Sequence, residues 1–323
     1  MEALLVLSKD DLGLSESEAV RLLKPRSTSR FSELLFVKTD SPDLIPRLAY
    51  TRLSIEVQAT ISVAGLEKEL PGIGLVRARP GSIAVRFLDS RLTHDQKAAV
   101  TTRIVRLLDK PDVDLKNPDI IYLCISNGTT VFIGPVIHDT TRTFSARKAH
   151  QRPALMPIAM DPRLARALIN LTGIREGAVV DPFCGVGGVL IEAGLMGLDM
   201  HGIEIAGDIL DKCEQNISHF GLKGAVLEKG DAIDLIPQIW EEGMVIASEP
   251  PFGKNTRQKD IDRLYDRFID VIRGLPGMIA ALSLPVSYGI EASSRNNGIS
   301  CETVALIEVH RSMQKRICLL QRR

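Results

Sequence analysis

The sequence predicts an α/β protein whose C-terminal half is a doubly wound, mainly parallel sheet, preceded by a smaller α+β region. Three observations carry this expectation. From residue 178 onward, short apolar runs alternate with helix-patterned segments, the order that buries a parallel sheet between two helical layers. The run Ala178-Val179-Val180 leads into Asp181-Pro182-Phe183-Cys184-Gly185-Val186-Gly187-Gly188, so a buried strand passes through an acid and a glycine turn into a helix. Doubly wound domains build nucleoside sites at such junctions, because glycine lets the backbone approach a ligand closely. Further along, Ser248-Glu249-Pro250-Pro251-Phe252-Gly253 ends another strand with an acid, two prolines and an aromatic.

In chain order, residues 3–7 read as a strand, and Ser15-Glu16-Ser17-Glu18 reads as a capping box ahead of a helix to residue 23. Residues 33–38 alternate as a strand, and 42–50 read as a helix with proline in its first turn. Residues 53–63 and 83–87 are β-rich. Thr93-His94-Asp95-Gln96 is a second capping box, opening a helix to residue 108 with Val100, Ile104 and Leu107 at helical spacing. Residues 120–125 and 130–133 pair around Asn127-Gly128, a strong hairpin signal. The chain then turns basic: Arg142, Arg147, Lys148, Arg152, Arg163 and Arg166 are offset only by Asp161, and Pro153, Pro157 and Pro162 interrupt the stretch. Most of it therefore reads as linker, until Asp161 caps and Pro162 starts a helix to residue 171. Strands are expected at 178–181, 200–204, 225–229, 244–248 and 278–283, helices at 188–196, 206–220 and 260–273, and a closing hairpin at 302–310 and 315–320. The domains expected are 1–143, a basic linker 144–160, and 161–323.

At 323 residues and 45% hydrophobic content, the chain suits two or three globular domains. Lys+Arg and Asp+Glu are both 40, so no global charge drives nucleic-acid binding, and such contacts must come from local patches. The five cysteines (Cys124, Cys184, Cys213, Cys301, Cys318) form no CxxC pair, which argues against a disulfide scaffold or zinc knuckle and for a reducing, cytoplasmic setting. The apolar start is too short and lacks the basic flank of a signal peptide, and no run is long enough to cross a membrane.

The candidate chemistry lies at strand ends. Asp181 ends the first strand of the sheet, and ligands in such sheets bind beyond the carboxyl ends of strands. Gly185, Gly187 and Gly188 do not fit GxGxxG, so no pyrophosphate cradle is implied. Glu204 ends the second strand, where an acid can accept both ribose hydroxyls of an adenosine, or cap the following helix. Asp231 follows the third strand and reads equally as an acceptor for an adenine amine or as a helix cap. The turn Glu249-Pro250-Pro251-Phe252 is rigid and can aim the Glu249 carboxylate and Pro250 carbonyl at one exocyclic amine, with Phe252 stacking on the base. Cys184 has no evident base partner and reads as a small buried hydrophobe. The basic tail Arg311, Lys315, Arg316, Arg322 and Arg323 reads as a solvated face, and Trp240 and the six histidines show no ligand spacing, so no metal is expected.

Residues 181–193 together with Glu249-Pro250-Pro251-Phe252-Gly253 resemble the S-adenosylmethionine-dependent tRNA (guanine-N2)-methyltransferases that carry an N-terminal THUMP domain, in particular the archaeal type acting at the tenth tRNA nucleotide. The stretch Phe144-Ser145-Ala146-Arg147-Lys148-Ala149-His150-Gln151-Arg152-Pro153 and the helix start at Pro162-Arg163-Leu164 share the resemblance. It implies a Rossmann-like methyltransferase domain behind a ferredoxin-like and THUMP RNA-binding region, with S-adenosyl-L-methionine as cofactor and tRNA as partner. A small activator subunit is a further candidate partner. It also implies that Asp181, Phe183, Gly185, Gly187, Glu204, Ile205, Asp231 and Ala232 hold the cofactor, and that Glu249, Pro250 and Phe252 form the amine site. One position departs from the family, which carries Asp or Asn where this chain has Glu249; the acceptor is kept but sits one methylene further out. Competing expectations are ribosomal RNA guanine-N2 or DNA adenine-N6 methylation, since acid-Pro-Pro-aromatic turns serve several base-amine methylases, or a non-catalytic RNA-binding protein that retains the fold.

Overall fold

The computed structural model describes residues 1–77, 79–88, 91–140, 144–156, 159–252, 258–290, 298–310 and 313–322. The chain divides into two compact units: Met1–Leu12, Leu23–Pro46 and Thr51–Thr141 form the first, and Gly13–Leu22, Arg47–Tyr50 and Arg142–Arg323 the second.

The N-terminal stretch builds β1 (Glu2–Leu7), α1 (Leu12–Leu23), β2 (Ser27–Phe31), β3 (Leu34–Lys38), a 3₁₀ helix (Pro42–Arg47), β4 (Thr51–Glu56) and β5 (Ala59–Ser62). It continues through α2 (Leu66–Glu69), β6 (Ile83–Leu88), α3 (His94–Leu107), β7 (Ile120–Ser126) and β8 (Thr130–Asp139). The strands make one sheet in the order β2-β3-β1-β4-β8-β7-β6, with β5 on β8; β6 and β7 run parallel and the other pairs antiparallel. The expected hairpin forms, Asn127 Oδ1 accepting from the amides of Thr129 and Thr130. Thr93 and Gln96 exchange both bonds of the expected capping box.

Two local expectations are corrected. Residues 15–18 are not a capping box, because α1 already starts at Leu12 and both Ser15 and Glu18 face inward, fully buried. Instead Glu18 accepts from the amides of Ala49 and Tyr50, each at 2.8 Å, and from Asn170 Nδ2 at 2.7 Å, all within the second unit. Burial raises the Glu18 pKa against the opposing pull of these donors. The stretch 42–50 forms only a 3₁₀ turn, because Pro46 has no N–H to continue a helix.

The second unit continues with α4 (Pro162–Leu171), β9 (Ala178–Asp181), α5 (Gly188–Leu195), β10 (Asp199–Glu204), α6 (Gly207–His219), β11 (Val226–Lys229) and α7 (Ala232–Ile239). It closes with β12 (Val245–Ser248), α8 (Gln258–Ile272), β13 (Ile279–Pro285), β14 (Ile299–His310) and β15 (Met313–Arg322). The sheet order is β11-β10-β9-β12-β13-β15-β14, parallel through β13 and antiparallel at β15 and β14. Alternation along each strand sorts the two cores. Val179, Val245, Ala247, Ala281, Ile317 and Leu319 pack on the face with α4 and α5 residues, whereas Val180, Ile246, Ala280, Leu282, Cys318 and Leu320 pack with α8 residues. Both faces are therefore apolar, which is why these strands read as continuous hydrophobic runs. β9 connects outward to β10 on one side and neighbours β12 on the other, so the strand order reverses between them. That reversal opens a crevice beyond the strand ends. Among the described residues, no helix is long and apolar enough to cross a membrane.

Candidate active site

The strand order brings the sequence-predicted acids into one row. Asp231 follows β11, Glu204 ends β10, Asp181 ends β9 and Glu249 follows β12, and these strands lie side by side in that order. Three inter-strand spacings make the row about 14 Å long.

Asp181 sits at the reversal point and is buried, its Oδ1 accepting from Ser248 Oγ at 2.6 Å and from the Phe183 amide at 3.3 Å. Burial pushes its pKa from the ordinary 3.8 to about 7, the nearby Glu204 and Glu249 charges adding and the two donors opposing. Glu204 reaches back to the turn: Oε2 accepts from the Gly185 amide and Oε1 from the Ala206 amide, each at 3.1 Å. The carboxylate thus braces the glycine turn, and each oxygen keeps a second lone pair. Gly185 and Gly187 adopt φ of +50° and +86°, which favours glycine. A Cβ on Gly187 would lie 2.8 Å from Cys213 Sγ, whereas one on Gly185 would meet no described atom within 4 Å. The turn is therefore packed on one side and open on the other.

Asp231 caps α7, Oδ1 accepting from the Ile233 amide at 2.9 Å. The capping alternative is thus realised, with Oδ2 left over. Ala232 is buried beside it, and Ile205 is exposed after β10. Phe183 packs edge-on against Phe268 of α8, with ring centroids 5.1 Å apart. Cys184 is buried, and its contact with Cys213 together with desolvation raises its pKa above the ordinary thiol value.

At the other end of the row, Tyr265 of α8 donates its hydroxyl to the Pro251 carbonyl at 2.7 Å, which anchors the Pro-Pro turn. Pro250 is buried. Glu249 Oε1 accepts from both Ser283 Oγ and Lys315 Nζ, each at 2.7 Å, and Lys315 Nζ lies 4.9 Å from the centre of the Phe252 ring. Sequence reasoning missed Ser248, Ser283, Tyr265 and Lys315. Lys315 was expected on a solvated face, but its side chain is only 13% exposed. The β13–β15 register, pairing Ser283 with Ile317 and Pro285 with Lys315, is the non-local signal that locates it. Gly253, Arg142, Arg311 and Arg323 lie outside the described residues.

The basic stretch also differs from a solvated linker. Arg147 and Arg166 both pair with Glu192, which is wholly buried: Arg147 Nε at 2.6 Å from Oε1 and Arg166 Nε at 2.8 Å from Oε2. Arg163 stacks on Tyr50, its guanidinium 4.5 Å from the ring centre. Arg152 is buried, and only its Nε is bonded, to the Arg147 carbonyl at 2.9 Å. Both Nη atoms lack a partner among the described residues. Nη1 lies 3.6 Å from where a Cβ of Gly188 would stand, at the first turn of α5, whose N-cap Gly187 offers no side-chain cap.

Comparison with known proteins finds relatives in sequence and in fold. Residues 149–282 match the family model described as the RMKL-like methyltransferase domain. This stretch is a methyltransferase domain. The chain is 34% identical over 215 residues to the tRNA (guanine(10)-N2)-dimethyltransferase of Pyrococcus abyssi, covering 65% of this chain and 64% of that protein. It is 28% identical over 286 residues to the enzyme of the same name from Methanothermobacter thermautotrophicus, covering 85% and 84%. Among solved structures, TrmN from Thermus thermophilus shares the fold over the whole of both chains, with a TM-score of 0.53 at 20% identity. The aligned stretch thus spans a little under two thirds of the Pyrococcus relative and most of the Methanothermobacter one.

Proposed function

We propose that this chain is a cytoplasmic enzyme that transfers a methyl group from S-adenosylmethionine to the exocyclic N2 amine of a guanosine in tRNA, at the tenth nucleotide named for its relatives. The observation that carries the reading is the row Asp231, Glu204, Asp181 and Glu249 along the crevice at the strand reversal.

The residues fit the cofactor. A buried guanidinium with both Nη atoms unpartnered calls for an anion, and the carboxylate of an amino-acid moiety at the α5 N-terminus supplies one. The open side of Gly185, with Asp181 and Phe183, suits the rest of that moiety, Gly187 shaping the turn. Glu204 has lone pairs for two ribose hydroxyls, and Asp231 Oδ2 and the Ala232 backbone suit an adenine edge beside the exposed Ile205. When bound, S-adenosylmethionine supplies a methyl already activated by its sulfonium.

The chain's own residues then align and polarise. The guanine amine is a weak nucleophile, because its lone pair is delocalised into the ring. Glu249 Oε2, which no described residue occupies, and the Pro250 carbonyl orient its two N–H bonds and stabilise the positive charge that develops there. Oε2 is also placed to hold the proton that the amine gives up. Phe252 stacks the extruded base, and the Tyr265–Pro251 bond keeps this turn rigid. The ferredoxin-like and THUMP region, residues 1–143, holds the tRNA body through phosphate contacts. With Arg147 committed to Glu192 and Arg152 buried, those contacts fall mainly to this region rather than to the 144–160 stretch.

The test is incubation of the full chain with unmodified tRNA and methyl-labelled cofactor, followed by mass spectrometry of the nucleosides. Labelled N2-methylated guanosine is expected, mapping to position ten by primer extension. Label on adenine N6, or on ribosomal RNA alone, overturns the reading. Activity that appears only with cell extract points to an activator subunit.

A further inference from the structure

We propose that Lys315 is a positioning residue of the amine site: with Ser283 it clamps one oxygen of Glu249, so that the other stays an ionised acceptor for the base amine. This rests on the proposed function above. The geometry is built by three strands. Glu249 leaves β12, Ser283 lies on the neighbouring β13, and Lys315 lies on β15, paired with Pro285 of β13. Both donors converge on Oε1 at 2.7 Å, and the carboxylate and ammonium side chains are only 12% and 13% exposed. Oε1 is therefore saturated and fixed, and Oε2 accepts from no described residue.

The clamp also resolves the departure from Asp or Asn. The extra methylene of glutamate lets the carboxylate reach the β13–β15 edge, where an aspartate would fall short of both donors. A second effect is electrostatic. Among the described residues, the groups facing Glu249 are Asp181 on β9, Tyr265 on α8, and Ser283 and Lys315, and of these Lys315 is the cation. A protonated Glu249 presents a hydroxyl donor to an amine that needs an acceptor. Lys315 opposes that protonation, and its ammonium over the Phe252 ring fixes the ring plane on one face, leaving the other for the base.

The test uses the full chain with Lys315→Met, which keeps the volume, and Lys315→Arg, which keeps the charge. At saturating cofactor and neutral pH, Lys315→Met should lower kcat about 10- to 100-fold, less than removal of the Glu249 carboxylate itself. Cofactor KM should change less than about twofold, and the loss should be larger at pH 6 than at pH 8.5, with Lys315→Arg restoring most of the rate and the flatter profile. A Lys315→Met profile parallel to wild type, or an unchanged kcat, overturns the proposal. The carboxyl titration of Glu249, followed by difference infrared spectroscopy against Glu249→Gln, needs no turnover. In Lys315→Met it should move to higher pH, and no movement overturns the clamp. An inactive wild type in which the titration still moves refutes the proposed function and leaves the clamp standing.

Discussion

Replacing Asp181 with asparagine should stabilise the ligand-free protein, and increasingly so as pH rises. The carboxyl is buried and its folded-state pKa stands at about 7 against the ordinary 3.8. Between those values the folded state binds more protons than the unfolded state, so stability falls as pH rises through that window and the full loss is reached above about pH 7. Summed from pH 5 to pH 8, one such group costs about 2.5 kcal/mol. Asparagine mimics the neutral acid: its Oδ1 can still accept from Ser248 Oγ and the Phe183 amide, and it does not titrate. Urea denaturation of both proteins at several pH values, without cofactor, reads the difference directly. The stability gap between variant and wild type should widen by about that amount from pH 5 to pH 8. The same ionisation favours a cationic ligand, so wild-type affinity for S-adenosylmethionine should rise across neutral pH while the variant shows no such slope. Parallel stability profiles would refute the placement of an unpaired buried acid at the strand reversal.

Other outcomes follow from single contacts. Glu204→Ala removes the ribose acceptor and the brace on the Gly185 amide, and calorimetry should show S-adenosylhomocysteine binding weaker by about 1.5–3 kcal/mol. Glu249→Ala should cut the methylation rate about 10²–10³-fold while leaving cofactor binding nearly unchanged. Glu249→Asp should be slower than wild type because it cannot reach Ser283 and Lys315; a rate at or above wild type removes the clamp from the mechanism. Glu18→Ala strips the acceptor from two backbone amides and Asn170, and should cost about 3 kcal/mol in denaturant unfolding of the second unit.

The central strands of the second unit's sheet were legible because they are apolar on both faces and lead into acids, so the local pattern marks Asp181, Glu204 and the Glu249 turn. β2 was not, because all five of its residues are exposed and Ser-Thr-Ser-Arg-Phe carries no alternation against a core. Glu18 misled for a related reason: a Ser-x-x-Glu pattern signals a helix start only when the helix starts there, and α1 begins earlier. Within the candidate site, local sequence indicates what ends a strand but not what reaches it from elsewhere. Lys315 meets Glu249 across β13 and was hidden in a tail that reads as a solvated face, and Arg152 lies beside the start of α5 and was hidden in a stretch that reads as linker. Net charge is equally blind here, since arginines spent on the buried Glu192 count the same as arginines free to meet phosphate.

The tie between Glu18 and Asn170 constrains how this protein is made. The two residues are 152 positions apart. At ribosomal speeds of about 5–20 residues per second, the helix bearing Glu18 is synthesised roughly 8–30 s before its amide partner exists. During that interval its carboxylate stays hydrated and its apolar side lacks the surface it will cover. The second unit is therefore a late assembly that must recover two early pieces, residues 13–22 and 47–50, after the intervening strands have been made. Grafting this methyltransferase domain onto another carrier by a single cut near residue 142 would leave those pieces behind. A working transplant has to take them along.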